Sequence, residues 1–194
     1  MATRASKYVT LGQWNLIIFV TLCLSLHPGF VLKRDEGGFS NYGIHIKTAI
    51  PYTLTYVGCV FFTLRASNVM PVIGRESRVL VALLRSYALI CFLLLVSTYG
   101  YSVNTPLKDL HGVVGLIAMV FDPVASIWLY VRVRNFNWDR TWFGAELVGL
   151  VLGVLDFFKV VHVLFAAQAV IAIGFGFLLV HATHQIETAE AVAS

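Results

Sequence analysis

Apolar residues occur along this chain in long runs that short polar segments separate, and each run is long enough to be a membrane-spanning helix. About 20 helical residues cross the roughly 30 Å hydrocarbon core of a bilayer. The runs predict six transmembrane helices, at about residues 11–32, 49–66, 79–101, 109–131, 142–158 and 160–183. The last two runs are separated near Asp156 and Lys159, because one helix over both would be about twice too long for the bilayer.

The longest polar segment before the C-terminal residues lies between the first two predicted helices, from His27 to Pro51. It contains glycines and a charged run at 33–36, both typical of a loop in water. We therefore expect an all-α integral membrane protein, a six-helix transmembrane bundle with a long first outer loop. A single domain would occupy residues 1–184, and a short C-terminal tail residues 185–194.

The composition supports a membrane protein and the charge distribution predicts its orientation. The chain is 58% hydrophobic and 12% charged, with a net charge of +4 and a mean hydropathy of +0.80. Its basic residues are dispersed between apolar runs, so we expect no nucleic-acid partner. Eight Lys and Arg residues flank the helix ends on the N-terminal side and five the other side. This bias predicts cytoplasmic N- and C-termini. We expect the membrane to be a bacterial plasma membrane.

The three cysteines, Cys23, Cys59 and Cys91, each fall inside an apolar run. Their spacing indicates neither a disulfide framework nor a metal-ligand cluster. Buried free cysteines usually behave as small hydrophobic residues, so inert packing is the expectation and no cofactor is predicted.

Ionisable residues inside the predicted helices form the first candidate site. Arg85, Asp122 and Glu146 lie at a similar depth, where an unpaired charge costs about 3 kcal/mol or more. We expect Asp122, Glu146 or both to neutralise Arg85 in an intramembrane ion-pair network. The Asp122 carboxylate could instead serve the helix kink at Pro123. A structural ion pair and a proton or substrate relay both remain open, and Gln168 is a further polar candidate in these helices.

A second group of polar residues is predicted at the outer ends of the helices. Its members are His27, His45, His111, His162, Asp109 and Asp156. Such side chains could bind a metal or, less readily, haem. The spacing contains no HExxH or CxxC motif, so we predict no metal. The alternative to a binding site is that these interfacial histidines contact only water. No catalytic residue is assigned.

The first loop carries Ser40, Asn41, Tyr42 and Gly43 and then Pro51, and the predicted fourth helix opens at His111. With six helices and cytoplasmic ends, this plan resembles the DRAM/Sfk family and related bacterial six-helix proteins of unknown function. Only Ser40, Gly43 and His111 of this chain are matched to positions that are typical of the family. The resemblance implies lipid organisation, lipid-anchor remodelling or regulation of lipid kinases, mostly as a non-catalytic partner. Gln168 departs from the acidic residue that often occupies the sixth helix.

Two classes of function follow. The favoured hypothesis is a non-catalytic membrane component, an accessory subunit or lipid-binding protein that acts through membrane lipids and a membrane protein partner or a second copy. Basic inner loops would attract anionic lipid headgroups. The alternative is an enzyme or carrier whose outer His/Asp pocket handles a lipid headgroup, a metal or a proton. In that case His111 with Asp109 or Asp156 would supply a base and an acid.

Overall fold

The chain folds into helices throughout the part that the structure describes. The structure is a computed structural model and describes residues 4–26, 38–101, 106–132 and 137–193. These residues form α1 (Arg4–Leu26), α2 (Phe39–Ile44), α3 (Ala49–Val69), α4 (Arg75–Tyr101), α5 (Pro106–Arg132), α6 (Asn137–Phe157) and α7 (Leu164–Ala193). No strand occurs in these ranges.

Four helices within the described ranges, α1, α4, α5 and α7, are long and apolar enough to cross a membrane. Large apolar side chains also lie exposed around the bundle, among them Trp14, Leu54 and Leu116. A surface of this kind suits lipid and not water. The prediction of an all-helical integral membrane protein is confirmed at this level. The other two long helices, α3 and α6, have 21 residues each and are not among these four.

The helices differ from the prediction in number and length. Seven are found in the described part of the chain, because the six-residue α2 forms within the predicted loop. Helix α1 begins at Arg4 instead of near residue 11, and α7 continues to Ala193. The residues predicted as a C-terminal tail are therefore the last turns of α7. Residues 27–37, which hold the charged run of the loop, lie outside the described residues.

The last turns of α7 are held in place by two carboxylates that accept hydrogen bonds from backbone N–H groups at the starts of two other helices. Ala5 N and Ser6 N donate to the Glu187 carboxylate at 3.0 and 3.1 Å, and Gly74 N donates to Glu190 Oε1 at 2.8 Å. The first N–H groups of a helix lack intrahelical acceptors and carry partial positive charge, so a carboxylate stabilises them. The start of α1 and the end of α7 thus meet at one end of the bundle, the termini end.

The long helices are arranged as a ring with one helix outside it. Helix α1 packs on α3 and α7, α4 packs on α3 and α5, and α5 packs on α7, which closes the ring. Helix α6 packs mainly along the outer side of α7. The short helix α2 contacts α3 and α4 at the end opposite the termini, the α2 end.

Two buried apolar clusters fill the ring. The cluster at the termini end includes Ala5, Leu80, Leu84, Phe175 and Leu178. The cluster at the α2 end is mainly aromatic, with the rings of Phe19 and Phe39 5.4 Å apart and those of Tyr42 and Phe165 5.0 Å apart. The first pair is edge-on and the second is tilted. Aromatic contacts of this kind add to the energy of apolar burial.

The turn between α6 and α7 lies where the sequence predicts it, near Asp156. Asp156 Oδ1 accepts a hydrogen bond of 2.8 Å from Val163 N, which spans the turn. Lys159 adopts a positive φ of 58°, a left-handed conformation that lets the chain reverse.

Some of the glycines in these helices permit close packing and others do not. A Cβ at Gly174 would lie 2.9 Å from the backbone oxygen of Trp142, and one at Gly149 would lie 3.0 Å from that of Ala167. Both glycines therefore let α6 and α7 approach closely. By contrast, Gly112, Gly115 and Gly144 face open space.

Candidate functional site

A cavity of about 150 Å³ lies inside the ring of helices. Every described helix except α6 contributes to its wall. Leu16 and Phe39 join it from the aromatic cluster, and Tyr87 packs against the cluster at the termini end, so the cavity lies between the two clusters. Its volume matches a cavity that accommodates a benzene-sized molecule.

The cavity is elongated along α5. His111, Gly115, Ala118 and Asp122 all line it from this helix. The spacing repeats every three or four residues, so these residues share one face, and the distance from His111 to Asp122 is about 16 Å at 1.5 Å per residue. The cavity therefore has a polar group at each end of this face and mainly apolar walls between them.

At the α2 end of the cavity, the His111 imidazole joins two serines from different helices. Its Nε2 lies 2.7 Å from Ser40 Oγ on α2, and its Nδ1 lies 3.0 Å from Ser97 Oγ on α4. Ser40 and His111 both line the cavity and are partly exposed. This part of the site holds a hydroxyl and an imidazole nitrogen in direct contact.

The hydrogen-bond directions in this group favour one tautomer of His111. Ser97 Oγ lies 3.2 Å from the backbone oxygen of Leu94, which can only accept, and when its single proton is donated there the Ser97 oxygen accepts from Nδ1–H. With the ring proton on Nδ1, Nε2 is an acceptor and Ser40 O–H donates to it. In this tautomer the imidazole nitrogen that faces Ser40 is the hydrogen-bond acceptor.

Gln168 is fixed beside Ser40 by the backbone of the preceding residue. Phe39 N donates to Gln168 Oε1 at 2.7 Å, and both residues line the cavity. Because the amide oxygen is used in this bond, the NH₂ group of Gln168 is the end left to donate to a cavity ligand. Gly38 makes this approach possible, since a Cβ there would overlap the side-chain amide of Gln168.

The position of Ser40 depends on how tightly α2 packs. Gly43 lies one turn after Ser40, and a Cβ at Gly43 would lie 2.6 Å from a Thr98 methyl carbon and 2.8 Å from the Tyr52 ring. Tyr52 and Thr98 are themselves joined by a hydrogen bond of 2.8 Å between their side-chain oxygens. The step from Ser40 to Gly43 therefore combines a polar contact with a close packing contact on the same short helix.

The predicted outer-face group does not form one site in the described residues. His111 alone of its described members lines the cavity. His45 ends α2, where its Nδ1 accepts from Lys47 N at 3.4 Å, while Asp109 and His162 are exposed. Asp156 is used in the turn between α6 and α7, and His27 lies outside the described residues. The residues that the structure describes contain no group of three or more His, Cys, Asp or Glu suited to a metal.

The predicted ion-pair network is not found either. Arg85 is exposed and pairs with no acidic side chain in the described ranges. The buried face of α4 carries Leu84 and Ala88, so Arg85, one residue after Leu84, points about 100° away from it. Asp122 lines the cavity instead. Glu146 is only 2% exposed, and neither of its carboxylate oxygens has a hydrogen-bond partner among the described residues.

Sequence reasoning missed Ser97 and the role of Gln168. The sequence does not relate Ser97 to a base at helical spacing, because its partner lies on the next helix. A signal was present, since the short connection between α4 and α5 makes them antiparallel neighbours and sets Ser97 and His111 at one level. Gln168 gave no comparable signal, because its partner is a backbone N–H on α2.

Comparisons with known proteins give no relative to set beside this geometry. The chain matches no protein-family model, no curated protein and no solved structure.

Proposed function

We propose that this chain is an integral membrane protein that binds a membrane amphiphile in the cavity, with the polar group of the amphiphile at Ser40, His111 and Gln168. The observation that carries the proposal is a cavity inside the ring of helices with mainly apolar walls and a polar group at each end, of which the end with Ser40, His111 and Gln168 has the larger number of polar side chains. Binding pockets of this composition hold a ligand by its apolar part and orient it through a few polar groups.

The volume of the cavity limits which part of the ligand is enclosed. A space of about 150 Å³ holds roughly the bulk of one benzene molecule, so it admits a polar group and a few carbons. The rest of a lipid would lie between the helices or in the bilayer. The exposed apolar belt, with Leu116 and Val124 on α5, is suited to contact with such a chain.

The topology that we infer has all six long helices crossing the bilayer and both termini in the cytoplasm. Two observations support it: α3 and α6 have the length of a span, and the start of α1 and the end of α7 meet through Ala5 and Glu187. The bias of Lys and Arg supports the orientation. The α2 end then faces outward, in a bacterial plasma membrane.

We also propose that the protein belongs to the DRAM/Sfk family and acts as a lipid-organising accessory subunit. Its partner would be another membrane protein or a second copy of this chain. The joint position of Ser40, Gly43 and His111, the three family-like residues, around α2 supports membership of the family. A bound amphiphile is consistent with a non-catalytic role.

The test is native mass spectrometry of the protein purified in nanodiscs, with a matched pair of glycine variants. Gly115 lines the cavity and Gly112 does not, yet a Cβ at either position would meet nothing within 4 Å. Gly115→Leu should therefore fill the cavity without disturbing helix packing, and Gly112→Leu should change only the helix surface. We expect wild type and Gly112→Leu to retain an amphiphile that Gly115→Leu lacks. Equal retention by both variants, or retention by none, would overturn the proposal.

A further inference from the structure

The contact between Ser40 and His111 has the chemistry of an activated nucleophile. Ser40 Oγ lies 2.7 Å from Nε2 of a neutral imidazole, within the distance at which a histidine base takes a serine proton. Both groups line the same cavity, so a bound molecule can reach the serine oxygen.

The other nitrogen of His111 is also fixed. Ser97 Oγ lies 3.0 Å from Nδ1, and its hydroxyl donates onward to the backbone oxygen of Leu94. Ser97 thereby holds the imidazole in the tautomer that presents Nε2 to Ser40, the task that a carboxylate performs in serine hydrolases. We treat Ser97 as a positioning residue.

We propose that Ser40 is a nucleophile with His111 as its general base, and that the protein hydrolyses a carboxylic ester of a membrane amphiphile. The substrate class rests on the proposed function, because a cavity inside membrane helices admits molecules that partition into the bilayer. The acyl carbonyl of such a molecule is its electrophile.

The reaction balances with water as the only co-reactant. Ser40 Oγ attacks the carbonyl carbon as its proton passes to His111 Nε2, and a tetrahedral intermediate forms. The bond from this carbon to the alkoxy oxygen breaks, the proton on Nε2 goes to the departing alcohol, and the acyl group remains on Ser40. Water then attacks the acyl carbon, its proton passes to Nε2, and the bond to Ser40 Oγ breaks as Oγ takes up that proton, which releases the carboxylic acid.

Gln168 supplies the donor that this reaction needs on the carbonyl oxygen. Its amide oxygen is held by Phe39 N, the residue before Ser40, and its NH₂ group is the donor end. A donor fixed before the reaction starts stabilises the negative oxygen of the intermediate more than water does.

The test uses the full chain in nanodiscs with two probes, an alkyl fluorophosphonate and p-nitrophenyl butyrate. The fluorophosphonate reacts with activated serines, forming a bond from Oγ to phosphorus and releasing fluoride, and peptide mass spectrometry locates the label. We expect the label on Ser40 and not on Ser126, a buried serine whose hydroxyl has no partner in the described residues. We expect Ser40→Ala to abolish butyrate hydrolysis.

The base is tested with His111→Gln, which keeps a hydrogen-bonding side chain and so favours folding but lacks a basic nitrogen. Labelling of Ser40 should slow by about 100-fold or more in this variant. It should be unchanged in His162→Ala, which removes an exposed histidine that does not line the cavity. Equal labelling rates in wild type and His111→Gln would overturn the assignment of the base.

The experiment separates the hydrolase from the binding function on which it rests. If wild type retains an amphiphile in native mass spectrometry but Ser40 takes no label and butyrate is not hydrolysed, the hydrolase is overturned and the binding protein stands. If Ser40 is labelled and hydrolyses butyrate while no amphiphile is retained, the reaction stands and the membrane substrate is overturned.

Discussion

Ser40 Oγ lies 2.7 Å from His111 Nε2, although 71 residues separate the two in the sequence. The contact joins the six-residue α2 to the α2 end of α5. It also defines the polar end of the cavity, because both side chains line it. The binding and hydrolase proposals both depend on this one relationship.

Replacement of Gly174 by alanine should loosen the contact between α6 and α7. The new Cβ would lie 2.9 Å from Trp142 O and 3.2 Å from Glu146 N, and backbone atoms cannot move aside as a flexible side chain can. We expect Gly174→Ala to lower the free energy of unfolding by about 1–3 kcal/mol. Thermal unfolding in detergent measures the change.

The matched control is Gly144→Ala on the facing helix. A Cβ at Gly144 would meet nothing within 4 Å, so the higher helix propensity of alanine should leave stability unchanged or raise it by about 0.5–1 kcal/mol. A similar loss in both variants would show that the effect is not due to close packing at Gly174.

Removal of the charge of Glu187 should weaken the termini end. Its carboxylate accepts from Ala5 N and Ser6 N and is only 6% exposed. Glu187→Gln keeps one acceptor but loses the second oxygen and the attraction to the start of α1, so we expect a loss of about 1–2 kcal/mol. Thr188→Ala, at the next and exposed position, should change little. Faster amide hydrogen exchange in α1 than in wild type would accompany the loss, and unchanged exchange would contradict this role.

Lys159→Gly should stabilise the turn between α6 and α7. Lys159 has a φ of 58°, a conformation that is unfavourable for residues with a Cβ and free of that penalty for glycine. We expect a gain of about 1 kcal/mol in unfolding free energy. Lys159→Ala, which removes the same charge but keeps a Cβ, should show no gain, and the two melting temperatures measured side by side decide the point.

Replacement of Glu146 should change the free energy of unfolding in opposite directions for a buried unpaired acid and for a member of an ion pair. Neither carboxylate oxygen makes a hydrogen bond of good geometry in the described part of the chain, although the Ser126 hydroxyl and the Asp122 carboxylate lie close to them. We therefore expect Glu146→Met to raise the free energy of unfolding by about 1–3 kcal/mol, because an unsatisfied buried polar group is removed. Glu187→Met, which removes a buried carboxylate that has partners, should lower it. A clear loss of stability in Glu146→Met would contradict this prediction and would show that the carboxylate is stabilised where it lies.

Hydrophobic runs predicted the helical class and most helix positions, since a membrane span must be apolar over its whole length. They could not predict α2, because six residues within a polar loop give no periodic signal. They also missed the last turns of α7, where Glu187 and Glu190 make the segment look like a polar tail. Those carboxylates are explained only by the helix starts that they contact in the fold.

The sequence predicts a shared depth for Arg85, Asp122 and Glu146 but not the direction of each side chain around its helix. In the structure Arg85 is exposed while Asp122 lines the cavity. A helix turns by about 100° per residue, so a charge next to a buried position can point away from the bundle. Ser40 and His111 were each singled out by the sequence, but their contact depends on how α2 packs on α3 and α4.

Photocrosslinking with a diazirine-labelled membrane lipid is the most direct test of the binding function. Met119 lines the cavity and Leu116 is exposed on the same helix, so residue-level mass spectrometry separates a bound lipid from the surrounding bilayer. We predict crosslinks at Met119 that excess unlabelled lipid competes away and that Gly115→Leu removes, while those at Leu116 persist. Crosslinks confined to exposed positions such as Leu116, and unaffected by Gly115→Leu, would contradict a ligand in the cavity.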